Sequence, residues 1–210
     1  MCDALLANRP CSKERFCSGP TARLHCPNSV TTGATLANQD VNFTLIPEVP
    51  FKLDGENGFL SALRERIQKR AHAVVAVAEG AGQEFFEDPS TEQDQSGNIK
   101  LKDIGLFLRE RIETYFKDVN VPIVMRYFDP SYLIRSSPAN AADSVLCDLY
   151  ARNAVHAAMA GKTGLVIGFL HDSFIHIPIE MLVLEKKHID TDGAWWKAVL
   201  AATGQPARFE

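Results

Sequence analysis

The 210-residue sequence predicts an α/β protein: a parallel sheet with helices on both faces. Three observations carry that expectation. Strand-like and helix-like runs alternate from about residue 41 to the C-terminus. One run, "HAVVAVAEG", is continuously apolar, as in a strand covered on both faces. The helix-like runs between strands are long enough to cross back over a sheet, as parallel neighbours require.

"VNFTLI", residues 41–46, is rich in β-formers and is stopped by Pro47. "ENGFLSALRERIQKR" follows, with Phe59, Leu60, Leu63 and Ile67 on one helical face and basic residues in its last turn. The apolar strand comes next and ends at Glu79, before a loop with Gly80 and Gly82. Residues 87–98, "EDPSTEQDQSGN", are polar and read as a surface loop. A second helix, residues 101–118, spaces Leu101, Ile104, Leu108, Ile112 and Tyr115 at helical intervals. "VPIVMRYFD" is a further strand, with Arg126 near its end. "ADSVLCDLYARNAVHAAMAG" is a long helix with Gly161 as its cap. "TGLVIGFL" reads as another strand of the sheet, and a short helix spans "GAWWKAVLAATG".

The first 30 residues show no period. Pro10, Pro20, Pro27 and several serines mark them as irregular. The expected division is 1–32 as an irregular segment and 33–210 as the folded region. Four of the five cysteines, Cys2, Cys11, Cys17 and Cys26, fall in that leader. A zinc knuckle of Cys11, Cys17, Cys26 and His25 would need close ligand pairs, and these spacings supply none. The leader is therefore expected to hold reduced thiols.

Hydrophobic residues make up 46% and charged residues 23%, ordinary globular values that argue against disorder over most of the chain. A net charge of −4 argues against a nucleic-acid surface. No apolar run approaches the roughly 20 residues of a membrane helix. The N-terminus has neither the basic start nor the apolar core of a signal peptide, so a cytoplasmic location is expected.

In parallel α/β folds, ligands sit beyond the carboxyl ends of the strands. Glu79 and the stretch "DPSYLIRSSP", residues 129–138, fall at such ends. Pro130 and Pro138 stiffen a turn that carries Tyr132 and Arg135, which reduces the entropy lost on binding. A phosphate is suited to guanidinium forks and hydroxyls, and sugar hydroxyls to a carboxylate. Each residue also has a structural reading. Arg126 could be a solvated strand charge, Tyr132 could pack, Arg135 could pair with Asp129 or Asp143, and Glu79 could cap a helix. His72 and His156 lie on apolar elements and read as core or hydrogen-bonded histidines. "EGAG" lacks the lysine and the third glycine of phosphate-cradling loops. From the residues alone, the reading is an α/β protein with a pocket for an anionic ligand.

"DVNFTLIPEVPF", "HAVVAVAEGAGQ", "YFDPSYLIRSSPANAADSVLCDLYARNAVHAAMAGKTG" and "HIPIEML" together resemble the C-terminal half of 6-phosphofructokinases. The branch in question includes ATP-dependent and pyrophosphate-dependent members, and the resemblance runs in order over about residues 33–205. It implies the sugar-binding half of that fold, with fructose 6-phosphate as ligand. By matched position it implies Glu79 as the carboxylate on the sugar hydroxyls and Arg135 as the arginine on the furanose. Tyr132 takes the place of a histidine near the 6-phosphate, with Leu133 and Ile134 shaping the turn. Arg126 matches a basic position that reaches the 6-phosphate across a subunit interface.

The family's "GGDGT"-like donor loop, "TIDND"-like general-base segment and "MGR" substrate loop do not occur in this sequence. The resemblance therefore implies no catalytic residue, nucleotide site or metal site here. Mg²⁺ and ATP are expected for a complete family enzyme, as is a homo-oligomer. The expected function is ATP-dependent phosphorylation of fructose 6-phosphate in glycolysis. The alternatives are the pyrophosphate-dependent reaction, or an inactive fragment that binds sugar phosphate or assembles with a full-length subunit.

Overall fold

A computed structural model describes residues 3–8, 28–86, 101–130, 136–182 and 188–210. In chain order the elements are β1 (Asp3–Asn8), α1 (Asn28–Ala37), β2 (Phe43–Leu45), α2 (Phe59–Arg70), β3 (His72–Val77), α3 (Ile104–Asp118), β4 (Val124–Phe128), α4 (Ala141–Met159), β5 (Leu165–Leu170), β6 (Ser173–Pro178), α5 (Ile179–Leu182) and α6 (Ala194–Thr203).

The main sheet is fully parallel, in the order β2-β3-β1-β4. Side chains alternate across it. Ala73, Val75 and Val77 join Met125 and Tyr127 on one face, against α2 and α3. Ala78, Leu36, Trp196, Val199 and Leu200 form a second cluster where α1 and α6 cover the other face. The expected fold class is therefore observed.

The predicted apolar face of α2 is the buried one: Phe59, Leu60, Leu63 and Ile67. Phe59 is fully buried and meets the rings of Phe43, Phe51 and Phe209 edge-on, with centroids 5.7, 6.0 and 5.7 Å away. Phe209 brings the C-terminus into this core, where its carbonyl accepts from the Lys52 amide at 3.0 Å. The chain end is pinned a second time by Gln205. Its side chain accepts from the Thr44 amide at 2.6 Å and donates to the Thr44 carbonyl at 3.2 Å, completing edge strand β2 as a neighbouring strand would.

Helix α3 starts later than its spacing predicts. Asp103 caps it by accepting from the Leu106 amide at 3.0 Å. Leu101 consequently lies outside the helix and is exposed, and Phe116 rather than Tyr115 completes the buried row of Ile104, Leu108 and Ile112. Helix α4 ends as expected. Gly161 is left-handed (φ 72°), its amide donates to Ala158 and the Lys162 amide donates to Ala157, both features of a Schellman stop.

Three expectations differ from the structure. Asp3–Asn8 lies in the expected irregular leader but forms β1, paired on both sides inside the sheet. Asn28–Ala37 is a helix that begins before the shift in composition. The run at 165–170 does not join the parallel sheet. It pairs antiparallel with β6 through a two-residue turn, His171 and Asp172. Both turn residues have positive φ, 48° and 58°, as a tight hairpin requires. Turns of this kind usually announce themselves with glycine or asparagine, and "HD" does not.

Cys11, Cys17, Cys26 and His25, expected not to form a zinc knuckle, and the polar loop 87–98 lie outside the described residues. Cys147 is free and exposed on α4. No helix among the described residues is long and apolar enough to cross a membrane.

Candidate functional site

Glu79 stands two residues beyond the end of β3, in a turn closed by the Ala81 amide donating to Ala78 at 2.9 Å. The turn is held from two sides. Gly80 packs on Pro47, where an added Cβ would come within 3.3 Å of the proline ring. The Gln83 side chain donates to the carbonyls of Glu79 and Lys102, each at 3.0 Å, and accepts from the Lys102 amide at 3.2 Å. Gln83 thereby fixes the Glu79 backbone to the segment that enters α3. Sequence reasoning missed this role, because nothing in the pattern of "EGAGQ" shows that residue 102 lies beside it. The Glu79 side chain is half-buried.

The turn after β4 begins at Asp129 and Pro130, both half-buried. Tyr132, Leu133, Ile134 and Arg135 lie outside the described residues. The ends of β3 and β4 flank the end of β1 in the strand order. Glu79 and the start of the 129–136 turn thus share the carboxyl edge of the sheet, the edge where such folds form ligand crevices.

Arg126 lies within two residues of the carboxyl end of its strand. It is the middle residue of the short strand β4, level with Leu5 of β1 and Val74 of β3, with Tyr127 and Phe128 between it and the carboxyl edge. From that register, Glu79 lies two strand spacings across, about 10 Å, and five residues further along, roughly 15 Å. The structure therefore does not bring Arg126 and Glu79 together. Arg126 is exposed, between the exposed side chains of Val124 and Phe128 on the same strand face. Among the described residues it has no carboxylate partner.

His72 and His156 are both exposed, so neither belongs to the core. The His72 ring nitrogen Nδ1 lies 3.0 Å from the Arg70 carbonyl. Arg109 is solvent-facing, and its side chain donates to Glu113 at 3.0 Å. A shallow groove of about 450 Å³ is lined by Lys52, Leu53, Asp54, Phe85, Phe107 and Arg111, and includes neither Glu79 nor Arg126. Among the described residues, no three His, Cys, Asp or Glu side chains are grouped to hold a metal ion.

No family model matches the chain. Individual relatives do. The chain is 45% identical over 183 residues to the ATP-dependent 6-phosphofructokinase of Borreliella burgdorferi, covering 84% of itself and 41% of that protein. The chain belongs to the 6-phosphofructokinase family. An ATP-dependent 6-phosphofructokinase of Amycolatopsis methanolica is 44% identical over 182 residues, 84% of the chain and 40% of the relative. The chloroplastic ATP-dependent 6-phosphofructokinase 5 of Arabidopsis thaliana is 42% identical over 173 residues, 82% and 32% respectively. This family member thus spans less than half the length of the curated relatives it matches.

Solved phosphofructokinases share the fold. The pyrophosphate-dependent phosphofructokinase of Marinobacter aquaeolei superposes with a TM-score of 0.59 at 17% identity, covering 95% of this chain and 47% of that one. The T-state phosphofructokinase of Pichia pastoris gives 0.54 at 17% identity, covering 97% and 19%.

Proposed function

We propose that this chain supplies the fructose 6-phosphate-binding part of an ATP-dependent 6-phosphofructokinase of the cytoplasm. In the complete enzyme the sugar's 1-hydroxyl would take the phosphoryl group. The observation that carries this reading is the position of Glu79 and of Asp129 and Pro130 on one carboxyl edge, in a chain 45% identical to an enzyme of that name.

In this reading the Glu79 carboxylate accepts hydrogen bonds from the sugar hydroxyls, and the held Gln83–Lys102 contact keeps it in place. Arg135 donates to the furanose, and Tyr132 donates to the 6-phosphate. Leu133 and Ile134 set the shape of the turn between them. Arg126, exposed on β4, serves the 6-phosphate of a neighbouring subunit in a homo-oligomer. Phosphoryl transfer needs a cradled donor, Mg²⁺ and a positioned base. The family's donor-loop and general-base motifs do not occur in this sequence, so in this reading the donor, the metal and the base are held by parts of a family polypeptide outside the matched stretch. The names of the matched relatives favour ATP over pyrophosphate.

Calorimetric titration with fructose 6-phosphate tests the reading. Arg135→Ala removes a charge-assisted hydrogen bond and is expected to weaken binding by roughly 10- to 100-fold. Tyr132→Phe costs less, since one neutral hydroxyl is lost, and Arg109→Ala costs nothing. Equal losses for Arg135→Ala and Arg109→Ala would contradict the assignment. A coupled assay of the chain alone is expected to give no turnover. Rates near the roughly 1–100 per second typical of kinases would contradict the placement of the donor site elsewhere.

A further inference from the structure

The four consecutive residues 102–105, at the entry to α3, grip two different parts of the sheet's carboxyl edge. Lys102 and Ile104 meet the loop that carries Glu79. The Gln83 side chain holds both backbone groups of Lys102. Ile104 is fully buried and so close to Gly82 that a Cβ added there would come within 2.8 Å of the Ile104 Cδ1 atom. Asp103 and Gly105 meet β4 instead. The Tyr127 hydroxyl donates to the Asp103 carboxylate, 3.2 Å from Oδ1 and 3.4 Å from Oδ2. The Tyr127 ring lies over Gly105, where an added Cβ would be 2.3 Å from Cε2. Glycine permits that approach, despite its poor helix propensity in the first turn of α3.

Tyr127 precedes Asp129, where the turn after β4 begins, by two residues, and the Gln83 side chain binds the Glu79 carbonyl. Residues 102–105 therefore bridge the ends of β3 and β4, which β1 separates within the sheet. The spacing of two turns around a ligand is set by the contacts behind them, and a displacement of about 1 Å is enough to lose much of the binding geometry. We infer that Asp103 and Tyr127 are positioning residues for the sugar-phosphate site: their hydrogen bond, seated over Gly105, fixes the end of β4 relative to Glu79. The inference rests on the reading of Glu79 and the turn after β4 as that site.

The experiment uses the full 210-residue chain and Tyr127→Phe, which keeps the ring over Gly105 and removes only the hydroxyl. The first measurement needs no ligand. Amide exchange at Lys102 and Ala81, which close the Glu79 loop, is expected to speed up at least about 3-fold in Tyr127→Phe and to stay unchanged in Arg109→Ala. The second is calorimetric titration with fructose 6-phosphate. Tyr127→Phe is expected to weaken binding by roughly 3- to 10-fold, the effect of one hydrogen bond. In a Gln83→Met background, where the link from residue 102 to Glu79 is already cut, the same change is expected to cost nothing further. A merely structural hydroxyl would give additive losses in that cycle, and additivity would overturn the inference. So would unchanged exchange at Lys102 and Ala81 in Tyr127→Phe. Glu79→Gln separates the two claims: if it leaves fructose 6-phosphate affinity intact, the reading of the site fails, whereas the exchange result judges the Asp103–Tyr127 link by itself.

Discussion

Residues 59–116 and residues 141–182 bury their apolar side chains to different degrees. In the first region α2, β3 and α3 close on one another, and thirteen described apolar side chains from Phe59, Leu60 and Leu63 through Val75 to Ile112 and Phe116 are at most 2% exposed. In the second, only Ala157 and Ile177 count among the buried apolar side chains. That region also holds seven of the eleven large apolar side chains exposed among the described residues. Hydrophobic stabilisation scales with apolar area removed from water. The parallel-sheet region can therefore carry its own stability. The helix–hairpin region gets little from its own contacts.

The contrast can be broken from the sheet side first. Phe59→Ala deletes a ring at the centre of four phenylalanines and is expected to cost about 3–5 kcal/mol in urea unfolding. A cost near that of a surface substitution would remove the claim that this region carries the stability. Gln205→Ala is expected to cost about 1–3 kcal/mol, because it leaves a buried backbone amide and carbonyl of Thr44 without partners. Asn140→Ala acts on the other region. Asn140 caps α4 by accepting from the Asp143 amide at 2.8 Å, and its loss is worth about 1 kcal/mol of helix stability. If the regions are as unequal as their burial, this change speeds amide exchange within α4 and leaves the midpoint of sheet unfolding almost unmoved. Arg109→Ala, an exposed i,i+4 pair, is expected to shift stability by less than about 0.5 kcal/mol.

How much of this was legible in the sequence follows the same division. Elements that bury one full face announce themselves: Phe59, Leu60, Leu63 and Ile67 gave α2, and the unbroken "HAVVAV" gave β3. Elements whose pairing is non-local did not. "DALLAN" has no β-branched residue and no alternation, so its place between β3 and β4 follows from tertiary pairing alone. The hairpin at 165–178 was half read, since its turn residues reach positive φ without glycine. For the site, the chain position of Glu79 was readable as a strand end, but Gln83 as its support was not. The mid-strand place of Arg126 required the β4 boundaries, which hydrophobic alternation alone did not set.

Native-state hydrogen exchange on the 210-residue chain, measured amide by amide, tests the contrast most directly. Amides of 60–77 and 105–116 are expected to exchange only through global unfolding, and those of 145–178 through local opening at markedly lower free energy. Addition of fructose 6-phosphate is expected to slow amides in the 78–83 turn. Uniform protection across 60–178 would contradict the account, because the α4–β5–β6 region would then be as stable as the sheet despite its smaller burial.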